Sequence, residues 1–290
     1  LKIIKNDNKL VIGIYEIPHG LLAFLIGKLR RIPIVISIVG NPGYKVIRKG
    51  IRKKITYFMF NRISAITVMG THSRNYLIKD GIISKNIFIL TGPIDIGYFR
   101  EIPSIDKKYD IISIGRLSPE KELLNLIEIA SLIKKTHPKI KIGIAGDGPE
   151  KIRLEEEICR LKLNNNIDMV GYLNGPVEFY NSGKVFVLNS STEGLPHTIL
   201  EAMACGVPCV VSNVGDIGDL VKDEWTGYLI EDYNDINKYV EVIEKLLEFG
   251  DNKKITQRAR KCIEKHYTYE NTRILWENII NHIDISNNTG

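Results

Sequence analysis

The sequence predicts an α/β protein built on two parallel sheets, each wrapped by helices. Short apolar runs alternate with amphipathic stretches of helical length along almost the whole chain, the signature of strand–helix–strand units. The alternation falls into two series, separated around residues 91–108 by a stretch of Gly-Pro, Pro-Ser and charge. The length of 290 residues, 44% of them hydrophobic, exceeds the usual single-domain size and suffices for two cores.

The elements follow in order. The first series predicts strands at 10–15, 33–38, 65–69 and 87–90, with helices at about 20–31, 44–61 and 71–79. The second opens on Tyr109-Asp110-Ile111-Ile112-Ser113-Ile114-Gly115. Ser118 is a good N-cap and Pro119 a good first helical residue, so a helix is expected over 119–136. Further strands are expected at 140–145, 167–171, 185–188, 208–212 and 228–230, with helices at about 149–163, 196–205 and 234–248. From 252 onward the chain reads as helical and amphipathic, with a break at 266–269. The expected domains are therefore 1–104, 105–266 and a C-terminal helix over 267–290. Both series read as Rossmann-type sheets, the second complete and the first short.

Bulk properties exclude more than they assign. No apolar run approaches the length of a membrane span and no secretory signal opens the chain, so a cytoplasmic protein is expected. The first residue is Leu1, and the numbering is expected to start inside a longer polypeptide. The four cysteines form no CxxC and have no His at metal-ligand spacing, which predicts buried, reduced thiols. No Gly-x-Gly-x-x-Gly follows a strand, which disfavours a nicotinamide dehydrogenase. The net charge of +6 suits an anionic partner, but charge alone is the whole case for nucleic acid, and none is expected.

The most informative stretch is Ser190-Ser191-Thr192-Glu193-Gly194-Leu195-Pro196-His197-Thr198-Ile199-Leu200-Glu201-Ala202-Met203-Ala204-Cys205-Gly206-Val207-Pro208. The apolar run Val185-Phe186-Val187-Leu188 feeds into it, and the Gly-Leu-Pro turn should open a helix. Glu193 then stands at the carboxyl end of a strand, beside a helix N-terminus whose free N–H groups suit phosphate. Pro196 has no N–H, so the phosphate-facing amides are those of His197 and Thr198. Glu201 lies two turns on and on roughly the same side, in reach of a more remote hydroxyl. One carboxylate near a reacting sugar, amides on a diphosphate and a second carboxylate on a ribose is the layout of a sugar-nucleotide site.

This string, with Gly215, Asp219-Leu220-Val221 and Gly227-Tyr228-Leu229 after it, resembles the retaining glycosyltransferases of the GT-B fold, in the group called family 4. The resemblance covers nearly the whole chain. It implies two Rossmann-like domains with parallel sheets facing a cleft. The family's opening strand and glycine-rich loop have no counterpart here, so the N-terminal domain is expected to be truncated, with the acceptor side in it and the donor in the second domain. The implied activity is hexosyl transfer with retention from a nucleotide-diphospho-sugar to a glycan or lipid-linked acceptor, with no cofactor beyond that co-substrate. The alternatives are a non-catalytic nucleotide-sugar-binding protein, and an epimerase or phosphorylase on the same fold.

The resemblance also implies roles. Arg116 and Lys121, in Gly115-Arg116-Leu117-Ser118-Pro119-Glu120-Lys121, should neutralise the diphosphate at a strand end and first helical turn. Glu193 should hydrogen-bond the transferred sugar, Gly194, Leu195, His197 and Thr198 should line the donor, Glu201 should hold the ribose, and Leu173 should pack on the base. Gly146 and Gly148 permit a tight turn and close approach by a ligand. His19, in Pro18-His19-Gly20, is either a cleft residue or a helix-capping one. No Asp-x-Asp occurs, so no metal is expected. Two departures stand out: Glu122 follows Lys121 where the family usually has Gly, and Val39 stands where many members carry His. Residues 45–62 are basic and aromatic, compatible with a helix on anionic lipid or with one covering the sheet.

Overall fold

The computed structural model describes residues 10–42, 50–250 and 252–288. Its contacts divide the chain into two units, one of residues 1–92 with 270–290, the other Pro93–Tyr269. The stretch 93–104 thus goes with the second unit.

The first unit carries β1 (Val11–Ile14), α1 (Leu21–Arg30), β2 (Ile34–Ser37), α2 (Gly50–Phe60), β3 (Ala65–Val68), α3 (Thr71–Lys79) and β4 (Ile87–Ile89). The strands form one parallel sheet in the order β1-β2-β3-β4. Parallel strands in such a sheet are covered on both faces and so read as continuous apolar runs; β3 is buried at every position. Helices α1 to α3 cover one face, packing Ala23, Phe24, Met59, Phe60 and Leu77 against Ile34, Ile36, Ile66 and Val68. On the other face Ile279 and Ile283 of the last helix of the chain, Tyr269–Asn288, pack on Val35 and Ala65. Residues 44–49 of the helix expected over 44–61 lie outside the described residues.

The second unit begins with β5 (Tyr109–Ile114), α4 (Leu123–Thr136), β6 (Ile142–Ala145), α5 (Lys151–Arg160), β7 (Ile167–Gly171) and α6 (Val177–Asn181). It continues through β8 (Gly183–Leu188), α7 (His197–Ala204), β9 (Cys209–Ser212), α8 (Ile217–Leu220) and β10 (Tyr228–Ile230). Two helices close it, α9 (Ile236–Phe249) and α10 (Lys253–His266); α11 is the helix over Tyr269–Asn288. Its six parallel strands lie in the order β7-β6-β5-β8-β9-β10. Chain order therefore runs outward in both directions from the central β5–β8 pair, the doubly wound arrangement. Ile111, Ile142, Ile144, Val185, Val187 and Val210 fill the core with Leu126, Ile127 and Ile133 of α4 and Tyr239 and Ile243 of α9.

Four expectations change. The helix expected over 119–136 is a 3₁₀ turn, Pro119–Lys121, followed by α4 from Leu123, because Glu122 adopts a left-handed backbone (φ 47, ψ 39). Ser118 makes no capping bond; its hydroxyl donates to the Glu120 carboxylate instead. One-turn helices α6 and α8 were not expected. Of the cysteines, Cys205 and Cys209 are buried, but Cys159 is exposed on the outer face of α5. Burial pushes the Cys205 thiol up to about 12 and that of Cys209 higher still.

Candidate active site

At the centre of the second sheet the crossovers leave β5 and β8 in opposite directions, so the loops at their carboxyl ends diverge and open a crevice. Arg116 and Lys121 lie on the first of these loops, and Glu193, Gly194 and Leu195 on the second, which leads into α7.

The loop after β5 is held by the turn after β6. Gly115 N–H donates to Ala145 O (3.0 Å) and Leu117 N–H to Asp147 O (2.9 Å). Gly146 sits at φ +139, and a Cβ there would lie 1.8 Å from Gly115 O. The close approach that Gly146 permits is thus that of the protein's own loop. Arg116 projects into solvent, 69% exposed, with Nη2 2.7 Å from Glu120 Oε1. Ser118 Oγ donates to the same oxygen at 2.7 Å. Partial burial pushes the Glu120 carboxyl up, but the Ser118 hydroxyl, its own amide and Arg116 together hold it below the usual range.

Lys121 reaches across to the second loop. Its Nζ lies 2.5 Å from Glu193 Oε1, with side chains only 17% and 12% exposed. Ser190 Oγ donates to that same Oε1 at 2.7 Å, and Oε2 takes neither bond. The two loops are also tied through their backbones: Ser191 N–H donates to Glu120 O (2.9 Å), and Asn189 Nδ2 to the carbonyl of left-handed Glu122 (3.0 Å). Behind Glu193, Asp216 N–H donates to Gly194 O (3.0 Å). Gly215, at φ +58, packs so closely that a Cβ would lie 1.9 Å from Glu193 O.

Helix α7 starts directly after. Pro196 takes an extended backbone with no side-chain cap, and Ile199 N–H turns back to Pro196 O (3.2 Å). First-turn amides have no partner within a helix, so those of His197 and Thr198 point out of its start. Thr198 Oγ1 is buried with no hydrogen-bond partner among the described residues. His197 has an exposed face, and desolvation of the remainder lowers its imidazole. One turn on, Glu201 Oε2 accepts from Tyr180 Oη of α6 at 2.6 Å. Burial raises Glu201, with the Tyr180 hydrogen bond opposing it. Burial and then the Glu201 charge raise Tyr180 well above its ordinary value.

The structure therefore brings Lys121 and Glu193 into contact, with Arg116 on the same loop as Lys121 and with His197, Thr198 and Glu201 on the helix that Glu193 leads into. Leu195 is 5% exposed and its side chain belongs to the core. Leu173, half-buried, lies in the turn after β7, two strands from β5. His19 is exposed in the first unit, in the segment Glu16–Gly20 ahead of α1. Val39, 41% exposed, lies two residues beyond β2. The sequence reading missed Glu120, Ser190 and Tyr180. Glu120 and Ser190 lay inside the quoted motifs, whereas Tyr180 gave no signal.

The family described as "Glycosyl transferases group 1" matches residues 97–266, more than half of the chain. The chain belongs to this family. The glycosyl transferases group 1 match spans every site element from β5 to α10. Among curated relatives, the UDP-Gal:alpha-D-GlcNAc-diphosphoundecaprenol alpha-1,3-galactosyltransferase of Escherichia coli is 26% identical over 292 residues, covering 91% of this chain and 72% of that enzyme. The poly(glycerol-phosphate) alpha-glucosyltransferase of Bacillus subtilis is 32% identical over 168 residues, 57% of this chain and 24% of the relative. Among solved structures, HepE of Anabaena in complex with UDP superposes with a TM-score of 0.85 at 18% identity, over 96% of this chain and 79% of that one. TarM of S. aureus, in complex with fondaparinux, α-GlcNAc-glycerol and UDP, gives 0.76 at 25% identity, over 86% of this chain and 51% of TarM. The fold is GT-B, as the group 1 glycosyl transferase motifs implied.

Proposed function

We propose that this chain is a retaining hexosyltransferase, moving a sugar from a nucleotide-diphospho-sugar to a glycan or lipid-linked acceptor. The observation that carries the reading is the Lys121–Glu193 pair at the β5–β8 crevice, directly before the N-terminus of α7 and one turn from Glu201. Lys121, Arg116 and the amides of His197 and Thr198 hold the diphosphate, where the positive end of α7 favours it. Glu193, through Oε2, hydrogen-bonds the sugar and stabilises positive charge at the anomeric carbon as its bond to the phosphate oxygen breaks. Tyr180 occupies one oxygen of Glu201, leaving Oε1 for the ribose hydroxyls. Leu173 packs on the base.

The acceptor hydroxyl attacks from the face the phosphate leaves. A new C–O bond replaces the old one on the same side, and the departing phosphate takes the hydroxyl proton. One carboxylate on the donor face suits this better than the paired acids of glycosidases. The charge a divalent ion would supply comes from Arg116, Lys121 and the helix dipole, so transfer is metal-independent. The names of relatives support the donor and acceptor classes: the E. coli enzyme is named for a UDP-sugar and a diphosphoundecaprenol-linked acceptor, and HepE is solved with UDP-glucose. Unit 2 holds the donor and unit 1 the acceptor, in the cytoplasm, with peripheral contact to anionic membrane through 45–62. Residues 45–49 of that segment lie outside the described residues. Among the described residues no helix is long and apolar enough to cross a membrane.

The test is saturation-transfer NMR on the full chain with UDP-glucose, UDP-galactose, UDP-N-acetylglucosamine and GDP-mannose in EDTA, followed by transfer assays with anomer assignment. One donor should saturate selectively; Arg116→Ala should abolish this, while Glu193→Ala keeps binding and loses turnover. No saturation of a folded sample by any donor refutes the site. An inverted product refutes retention, and turnover only after a divalent ion is restored refutes metal independence.

A further inference from the structure

Between Glu16 and Asp80 the chain has twelve Lys or Arg and no Asp or Glu, while the other 227 residues hold 28 Lys or Arg against 34 Asp or Glu. The excess positive charge of the protein is thus confined to one block in the first unit. A solvated basic face would be polar, and this one is not. Helix α1 exposes Leu22, Leu25 and Leu29 (40%, 56% and 85%), and α2 exposes Ile51, Ile55 and Phe58 (74%, 37% and 51%). The spacings i, i+3, i+7 and i, i+4, i+7 each align on one side of a helix.

These are not the faces that build the core, which use Ala23 and Phe24 on α1 and Met59 and Phe60 on α2. Each helix carries a second apolar stripe. The two helices meet where Phe58 stands edge-on to Phe24, with ring centroids 6.1 Å apart, and the Arg62 guanidinium lies 3.9 Å over Phe58. Exposed Lys28, Arg30, Arg52 and Lys54 flank the stripes. Lys53 is engaged instead with Asp80 at 3.0 Å.

We propose that this α1–α2 face docks on an anionic bilayer surface, with the Leu, Ile and Phe side chains in the headgroup–acyl boundary and the cations on lipid phosphates. This rests on the membrane contact in the functional reading above and extends it to α1, which supplies half of the apolar surface. Charge complementarity selects an anionic partner, and the six apolar side chains select a lipid. A soluble polyanion satisfies the cations but leaves the stripes in water. Long basic side chains beside an apolar stripe are suited to an interface, stems in the boundary and charges at the headgroups.

The experiment is co-flotation of the full chain with phosphatidylcholine vesicles, with and without phosphatidylglycerol, beside heparin binding. Two triple variants are compared, Lys28→Gln/Arg52→Gln/Lys54→Gln and Leu25→Ser/Leu29→Ser/Ile51→Ser. Binding is expected only to the anionic vesicles. At about 1 kcal/mol per basic residue near the surface, the charge variant should weaken it roughly 100-fold. The serine variant should lose it by at least roughly tenfold. No binding to anionic vesicles, or binding that either variant leaves unchanged, overturns the proposal. Heparin binding that the serine variant retains, with no vesicle binding, assigns the face to a polyanion and also overturns it. Donor saturation is read on the same samples: it should be unchanged in both variants, and its absence throughout would sink the donor site without touching the flotation result.

Discussion

Removing the ammonium of Lys121 should expose how much of the second unit's stability runs through one ion pair. A fully buried pair loses roughly 3–5 kcal/mol when one partner is deleted, an exposed one about 0–1 kcal/mol. With 17% and 12% of the side chains accessible, this pair is nearer the buried limit. Ser190 still donates to Glu193 Oε1 after the change and offsets part of the loss. Lys121→Met should therefore cost about 2–3 kcal/mol. In a unit running from Pro93 to Tyr269, that lowers the melting temperature by roughly 4–12 °C. Glu193→Gln, which leaves the cation facing an amide, should cost about 1–2 kcal/mol. The double variant should be more stable than the sum of the singles by about 1–2 kcal/mol, because the second change removes a group that the first has already orphaned. Urea unfolding followed by circular dichroism measures all four corners of the cycle. Strictly additive losses, or a Lys121→Met protein as stable as the parent, would refute the argument that the pair is a coupled, desolvated unit.

Three further outcomes are expected. Glu122→Gly should stabilise the protein by about 0.5–1 kcal/mol in urea titrations, since relief of roughly 1–2 kcal/mol of left-handed strain at φ 47 exceeds the added unfolded-state entropy. Gly215→Ala should cost about 3 kcal/mol or more and abolish donor saturation, because its Cβ can be seated only by displacing the Glu193 carbonyl. Glu201, raised by burial, keeps its proton in the folded state to a higher pH than in the unfolded chain. Stability should therefore decline as pH climbs from the ordinary carboxylate range through the raised value and then level off. Urea midpoints across that range should show the slope in the parent and a flatter profile in Glu201→Gln, while Tyr180→Phe, which removes the opposing hydrogen bond, should extend the slope to higher pH.

Legibility in the sequence followed the range of the interactions. Strands such as β8 announce themselves because a parallel strand buried on both faces needs an unbroken apolar run, and Val185-Phe186-Val187-Leu188 is one. The start of α7 was legible because Pro196 is local chemistry. The start of α4 was not: Ser118-Pro119 has the composition of a helix start, and nothing in a glutamate at 122 signals a left-handed backbone. That conformation accompanies loop ties such as the bond from Asn189, 67 residues away. Helices α6 and α8 span about one turn, too short for a 3.6-residue period to register. The motifs named Lys121 and Glu193 separately, each with its own task, and only the fold, across 72 residues, shows them in direct hydrogen-bonded contact. Tyr180 was invisible for the same reason, since an aromatic before a strand reads simply as core.

The sheet of the first unit has a consequence for the growing chain. Val35 and Ala65, on its second face, are covered by Ile279 and Ile283, which the ribosome adds more than 200 residues later. At about 5–20 residues per second, that face waits roughly 10–50 s for its lid, long enough for the intervening unit to emerge and fold first. Synthesis order and spatial order are thus interleaved, and of the two sheets the one made first is the one sealed later. Nascent chains stalled before Trp276 should be cut by protease within the first 92 residues while Pro93–Tyr269 resists, and equal resistance of both would show that the sheet closes without its final helix.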